Sequence, residues 1–388
     1  MNRDFTSRFK SKFALKFSAL ILLFAAVSCI YPKITIKGKG NVKLTQVDFT
    51  SFSDWSTTDH RKALMAFVGS CNHLAKMPQT RSIGAQIGDI SAGDFRDVCE
   101  IANVVKGMSN AQIKNFFENW FKPFLVSTRS GDSKGLFTGY YEADLRGSKI
   151  KSEKYKYPIY AKPKDLTSEP YLSRKEIEDG ALKDRDLELL YVDDIADLFF
   201  LHVQGSGRVT LPNGAVVRLS FAAKNNQPYS SIGGYFADNN LIARDKISAD
   251  TIKDWLRANP DKAADAMNFN SSYIFFKISD AEYVIGAQGV PLTAEHSLAV
   301  DNDIIPYGSP LWVETFFKKN GAKEKYNQLL IAQDTGSAIK GVVRGDIFFG
   351  HGVDAESKAS SMASAGQYYI LLPNNVVDKI SGDNRWAR

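Results

Sequence analysis

Beyond residue 135 the chain is written in short strand-like runs broken by turn signals, and this rhythm limits what it can fold into. Residues 135–142 are rich in the aromatic and β-branched side chains that suit a pleated sheet. Residues 157–160 and 189–192 read as extended, and the apolar run 198–203 leads into Gln204-Gly205-Ser206-Gly207, a turn signal. Residues 209–211 and 216–221 read as a hairpin, with Asn213-Gly214 at the turn. Strands are predicted again over 273–277, 310–315, 328–333, 345–349 and 368–372, after helices at 248–258 and 261–268. The front differs: residues 33–125 read as mostly helical after a short extended start. Apolar residues recur there at helical spacing over 60–69, 94–106 and 110–120, and Ser109 is placed to cap the third helix. Strands through the C-terminal two-thirds with helices at the front predict a mainly β protein of barrel domains with helices attached.

At 388 residues the chain exceeds one ordinary compact core, so two domains are expected. Apolar residues at 44% and charged residues at 24% are the balance of a globular protein. The net charge of +6 is dispersed, with no Lys/Arg run and no zinc or RNA-binding motif, which argues against nucleic acid as a partner. An anionic polymer suits a basic protein equally well.

The N-terminus carries a basic lead, Arg3, Arg8, Lys10, Lys12 and Lys16, then an apolar run over 17–27 and Ser28-Cys29. This order describes a secretory signal over residues 1–28, and the run is short for a membrane span. Ala26-Val27-Ser28-Cys29 resembles the lipobox of bacterial lipoproteins, with Ala26 where Leu is usual; lipidation of Cys29 and simple cleavage are the two outcomes. An exported chain with two remaining cysteines, Cys71 and Cys99, both in helical-looking segments, is expected to join them in a disulfide.

None of the five histidines sits in a zinc spacing, no phosphate-binding glycine loop occurs, and Gly205-Ser206-Gly207 lacks the spacing of a nucleophile elbow. Carboxylates are more suggestive. Asp301 precedes Ile304-Ile305-Pro306-Tyr307-Gly308, Asp334 ends an apolar strand, and Asp346 begins another. Strand ends are a usual location for catalytic groups. Each is also readable as an ordinary turn aspartate bonded to its own backbone.

Context separates these readings. Gln333-Asp334-Thr335-Gly336-Ser337-Ala338-Ile339-Lys340-Gly341 is followed by Gly345-Asp346-Ile347-Phe348-Phe349-Gly350. These runs, with Asp301, resemble the three-aspartate barrel domain of the membrane-bound lytic murein transglycosylase A family. Phe137-Thr138-Gly139-Tyr140-Tyr141, Val203-Gln204-Gly205-Ser206-Gly207, Tyr229-Ser230-Ser231-Ile232-Gly233 and Asn270-Ser271-Ser272-Tyr273 are similar as well, in order, across roughly residues 130–375. The resemblance implies a double-psi β-barrel domain over 33–140 and 272–388. A second, smaller β-barrel is inserted over 141–271, with a substrate groove between the two. It implies cleavage of the β-1,4 bond between N-acetylmuramic acid and N-acetylglucosamine in peptidoglycan, leaving a 1,6-anhydro ring, with no cofactor or metal. Asp346 maps onto the catalytic aspartate, and Asp334 and Asp301 onto its supports. Thr138, Tyr140, Tyr141, Gln204, Ser206, Ser231 and Lys340 are the candidate substrate contacts. The implied setting is the periplasm of a Gram-negative bacterium, with lipid attachment to the outer membrane, and a monomer.

A hydrolase needs two carboxylates, but an intramolecular 6-hydroxyl nucleophile lets one serve as acid and then base. Asp346 must then start protonated, although free Asp titrates near about 3.9. Phe348 and Phe349 are expected to wall it from water, Asp334 to push the same way, and Lys340 and Arg344 to oppose. Ser337 stands where glycine is common in the family, at a turn where positive φ is one expectation, and Arg344 occupies a position where different residues occur. Two rivals remain: a hydrolase using Asp334 and Asp346 with water, and a non-catalytic peptidoglycan-binding envelope protein. Product mass discriminates the first, and release of soluble fragments the second.

Overall fold

The computed structural model describes residues 33–319 and 322–382, so the leader and Cys29 lie outside the described residues. At the front, β1 (Thr35–Lys37) and β2 (Val42–Gln46) pair antiparallel. Three helices follow. α1 (Arg61–Leu74) buries Ala63, Leu64, Phe67, Cys71 and Leu74 along one stripe. α2 (Arg96–Val105) is joined to it by a disulfide between Cys71 and Cys99, with Cα atoms 5.3 Å apart. α3 (Asn110–Trp120) starts at Ser109, whose hydroxyl accepts from the Gln112 amide while Gln112 accepts from the Ser109 amide. The helical reading of the front stops there: β3 (Phe121–Thr128) begins at the residue after α3, and pairs with β2.

β4 (Gly135–Ser148) runs six residues beyond the aromatic run at 135–142 and serves two rings of strands. Its second half pairs antiparallel with β6 (Glu188–Val192) and parallel with β7 (Ser206–Thr210). β5 (Tyr157–Tyr160) pairs with β6, and β7 continues to β8 (Val216–Lys224) and β9 (Ile274–Ser279). A bridge between Ala161 and Phe276 closes this ring. The β7–β8 turn holds Gly214 at φ 82°, the left-handed region that glycine enters without a Cβ clash.

The apolar run at 198–203 lies in a helix, α4 (Ile195–Gln204), because Asp194 caps its first turn through the Ala196 and Asp197 amides and left-handed Gly205 ends it. α5 (Ile232–Asp238), α6 (Ala249–Ala258) and α7 (Pro260–Asn268) pack on α4 around Phe199, Phe200, Phe236, Ile252, Leu256 and Met267. Each such buried side chain contributes about 2 kcal/mol of hydrophobic stabilisation.

The first half of β4 belongs to the other ring, with β10 (Ser297–Val300), β11 (Pro310–Lys319), β12 (Ala322–Asp334), β13 (Arg344–His351) and β14 (Ala363–Pro373). The order is β14-β11-β12-β10-β13-β4, and pairing of β14 with β4 closes it. β10 with β12 and β13 with β4 run parallel; the remaining neighbours are antiparallel. β14 also pairs with β3, which attaches the front to the ring. α8 (Val353–Ser360) packs on β4 and β13, and α9 (Asn374–Gly382) on β14. Gly139 permits this approach: a Cβ there would lie 2.6 Å from the Phe349 ring and 2.7 Å from the Ala359 Cα. Lys253 on α6 ties the helical layer to the ring, bonding Glu356 on α8 at 2.7 Å and Asp197 on α4 at 3.0 Å.

Candidate active site

The short buried strand β10 places the two central carboxylates. Its Ala299 stands in register with Asp334 on β12 and with Asp346 on β13. Two strand spacings, about 10 Å, therefore separate the two backbones, and the residue between them carries only a methyl group. Side chains directly opposite on neighbouring strands share a face. On that face lie Tyr140, Ala299, Ile339 and Phe348, in one apolar cluster with Val284 and Leu292.

The two carboxylates are held differently. Asp334 accepts three hydrogen bonds: the Tyr140 hydroxyl on Oδ2 at 2.7 Å, and the Ala287 and Thr335 amides on Oδ1, each at 2.9 Å. Asp346 accepts one, from the Thr138 hydroxyl on Oδ1 at 2.6 Å. Among the described residues its Oδ2 accepts none. Burial pushes the Asp346 carboxyl above the usual range; Arg344 and the Thr138 hydrogen bond pull it down, and Asp334 adds to the rise. Burial also raises Asp334, against its three hydrogen bonds.

Strand alternation corrects the expected apolar wall. Phe348, two residues from Asp346, lies on its face and packs on Tyr140 with ring centroids 5.3 Å apart. Phe349 points to the opposite face, against Tyr326 at 6.1 Å. Lys340 does not act on Asp346. Its ammonium bonds Asp301 and Asp303, each at 3.0 Å, and the Gly341 amide bonds the other oxygen of Asp301 at 2.9 Å. Asp301, only 6% exposed, thereby anchors the loop between β12 and β13. Ser337 is not among the described residues with positive φ; in that loop the left-handed backbone falls on Gly341, at φ 121°.

The remaining candidates are spread more widely. Thr138 and Tyr140 touch the carboxylates directly. The buried Tyr141 instead donates to Glu356 at 2.7 Å, and Gln204 accepts from the Tyr141 amide at 3.0 Å, so this pair stitches β4 to α8 and α4. Ser206 is buried in β7. Ser231 is exposed and caps α5 by accepting from the Gly234 amide at 3.2 Å. Arg344, expected to oppose the rise at Asp346, does so, and it donates to Thr138 at 2.8 Å. Sequence reasoning missed Tyr229, whose hydroxyl is raised by desolvation and by Asp346. It also missed Tyr307, pushed up to about 12 by burial with Asp334 adding. Tyr229 and Tyr307 sit inside motifs singled out for their neighbours, so the signal was present; the Ala287 amide leaves none in sequence. Among the described residues no group of three His, Cys, Asp or Glu side chains could hold a metal ion.

Two family models match this architecture: a lytic transglycosylase "MltA specific insert domain" over residues 136–277 and a "3D domain" over 296–372. Together they define the class, a chain in which an MltA-type insert precedes a 3D domain. The membrane-bound lytic murein transglycosylase A of Vibrio cholerae is 36% identical over 248 residues, covering 62% of this chain and 67% of that protein. The chain belongs to the membrane-bound lytic murein transglycosylase A family. Crystal structures agree: a membrane-bound lytic murein transglycosylase from Agrobacterium tumefaciens superimposes with a TM-score of 0.78 at 32% identity, covering 86% of this chain and 99% of that one. MltA from Neisseria gonorrhoeae does so with a TM-score of 0.72 at 33% identity, covering 89% and 96%.

Proposed function

We propose that the chain is a lytic transglycosylase that cuts the β-1,4 bond between N-acetylmuramic acid and N-acetylglucosamine in peptidoglycan, with Asp346 as acid and then base. The observation that carries this reading is the unequal bonding of the two carboxylates. Three donors on Asp334 hold its carboxyl in one orientation, suited to stabilising a developing oxocarbenium charge. Asp346, with one neutral donor and an unbonded oxygen, suits proton exchange.

In the step, protonated Asp346 gives its proton to the glycosidic oxygen as the C1–O4 bond breaks. The 6-hydroxyl oxygen of the muramyl ring attacks C1, and its proton passes to the Asp346 carboxylate. Atoms balance without water, and the carboxyl returns to its starting state. Asp301 supports the site by holding the Lys340 loop. In this reading residues 33–140 and 272–388 form the catalytic domain, except that β9 just past the boundary completes the ring of the insert. Residues 141–271 form the rest of the inserted substrate-binding barrel, and the glycan strand lies between them, touching Tyr140 and Thr138. The relatives' name, membrane-bound, supports work at a bacterial membrane; lipidation of Cys29 at the outer membrane, a periplasmic location and a monomeric state belong to the same proposal. Among the described residues no helix is long and apolar enough to cross a membrane.

Mass spectrometry of the soluble products from purified sacculi tests the reading. Wild type should release anhydro-muropeptides and Asp346→Asn almost none. Hydrated, reducing ends would make it a hydrolase, and binding without release would make it a wall-binding protein.

A further inference from the structure

β13 and β4 run parallel with Asp346 opposite Thr138 and Arg344 opposite Leu136, so Arg344, Thr138 and Asp346 lie on one face. Arg344 Nη2 donates to Thr138 Oγ1 at 2.8 Å, and Thr138 Oγ1 donates to Asp346 Oδ1 at 2.6 Å. The direction of this chain is not free. A guanidinium has donors only, so the threonine oxygen must accept from it. The single hydroxyl hydrogen is then left for the carboxylate. Arg344 is itself held by the Leu136 and Gly345 carbonyls through Nη1, so the guanidinium is braced against the strand it serves.

The geometry points to Arg344 as a positioning residue that acts through Thr138 to fix which oxygen of Asp346 carries the working proton. Oδ1 is occupied as an acceptor, so the transferable proton rides on Oδ2, the oxygen without a partner among the described residues. Without the relay the hydroxyl can rotate, and either oxygen can hold the proton. A proton on the wrong oxygen points away from the glycosidic bond. This inference rests on the proposed role of Asp346 and adds to it the atom that works and the residue that selects it.

The charges around Asp346 set the expected pH response. β13 contributes Arg344, β12 contributes Asp334, β4 contributes Tyr140, and Tyr229 approaches from the segment before α5. β10 offers only Ala299 in register. α8, on the far face, carries Glu356, bonded to Lys253 and Tyr141, and Lys358, bonded to Glu295 and Asp354. Arg344 and Thr138 both pull the carboxyl down, so removing either lets it rise.

The experiment is kcat and KM against pH on soluble, uncrosslinked glycan strands, for wild type, Arg344→Met, Arg344→Lys, Thr138→Val, Thr138→Ser and Asp346→Asn. Arg344→Met and Thr138→Val should lower kcat about tenfold or more with KM nearly unchanged, and move the alkaline limb up by about one pH unit. Arg344→Lys and Thr138→Ser should bring the limb back toward wild type. If Arg344→Met fails to fold, as judged by thermal unfolding, Thr138→Val carries the test alone, since it removes only the hydroxyl. An unmoved alkaline limb in the folded variants, or a loss confined to KM, overturns the relay while Asp346→Asn remains inactive. A fully active Asp346→Asn overturns the relay and the assigned role of Asp346 together.

Discussion

Asp334 and Asp346 flank a single residue, Ala299, each in register with it from a different neighbouring strand. The methyl group of Ala299 therefore sets the width of the gap between two carboxyls. Ala299→Val places two more carbons in that gap, within a packed apolar cluster. The expected cost is about 1–3 kcal/mol of overpacking. Turnover of sacculi should fall by more than the modest loss of stability explains, because the carboxyls are displaced. Activity and melting temperature measured on the same preparation check this; unchanged turnover would show that the gap is not used.

Replacing Asp346 by Asn should stabilise the fold at neutral pH. Burial raises this carboxyl, so its uncharged form is favoured in the native state. The stability it contributes is complete below the unfolded value of about 3.9 and is lost as pH rises through the folded value. Asparagine has no such dependence. The melting temperature of Asp346→Asn should exceed that of wild type near pH 7.5, and the gap should close near pH 3.5. A gap that stays constant across this range would contradict the raised carboxyl.

The ion pairs around Lys253 should behave as a coupled unit. Lys253 bonds Glu356 and Asp197, and Glu356 also accepts from Tyr141, all in partly buried surroundings. Lys253→Met leaves two carboxylates short of a partner and should cost about 3 kcal/mol. Adding Glu356→Gln should recover part of that loss, because one stranded charge is gone. Denaturant unfolding of the single and double variants gives the coupling directly; strict additivity would mean that the residues act independently.

Reduction of the Cys71–Cys99 disulfide should loosen the front of the molecule. The bridge spans 28 residues, and closing a loop of that length removes about 3–4 kcal/mol of unfolded-state entropy. Melting should fall by roughly 4–5 °C in reductant. Alanine at both cysteines should reproduce the fall and abolish the effect of reductant.

The ring strands β11 to β14 were readable because each carries a long apolar run bounded by turn residues. β10 was not: four wholly buried residues, Ser297–Val300, have no alternation to detect. β3 was hidden because it follows α3 with no turn residue between them. α4 is apolar on nearly every side, so its run shows no helical stripe, and the Asp194 cap is the clue that was passed over. In the site, the motif around Asp334 and Asp346 was legible as a pattern. That Thr138 bonds Asp346, and that Lys340 is spent on Asp301 and Asp303, depends on strand register and loop path, which no local pattern reports.

β4 lends its first half to one ring and its second half to the other as one continuous strand. The two rings are therefore not modules in the genetic sense. Excising residues 149–271 would strip the partners from the outer end of a long strand and leave its amides and carbonyls as an open edge, the template from which strand-to-strand aggregation grows. Inheritance, engineering and truncation alike must treat the insert and the ring as one unit, and a lineage that lost the insert would have to shorten β4 in the same event.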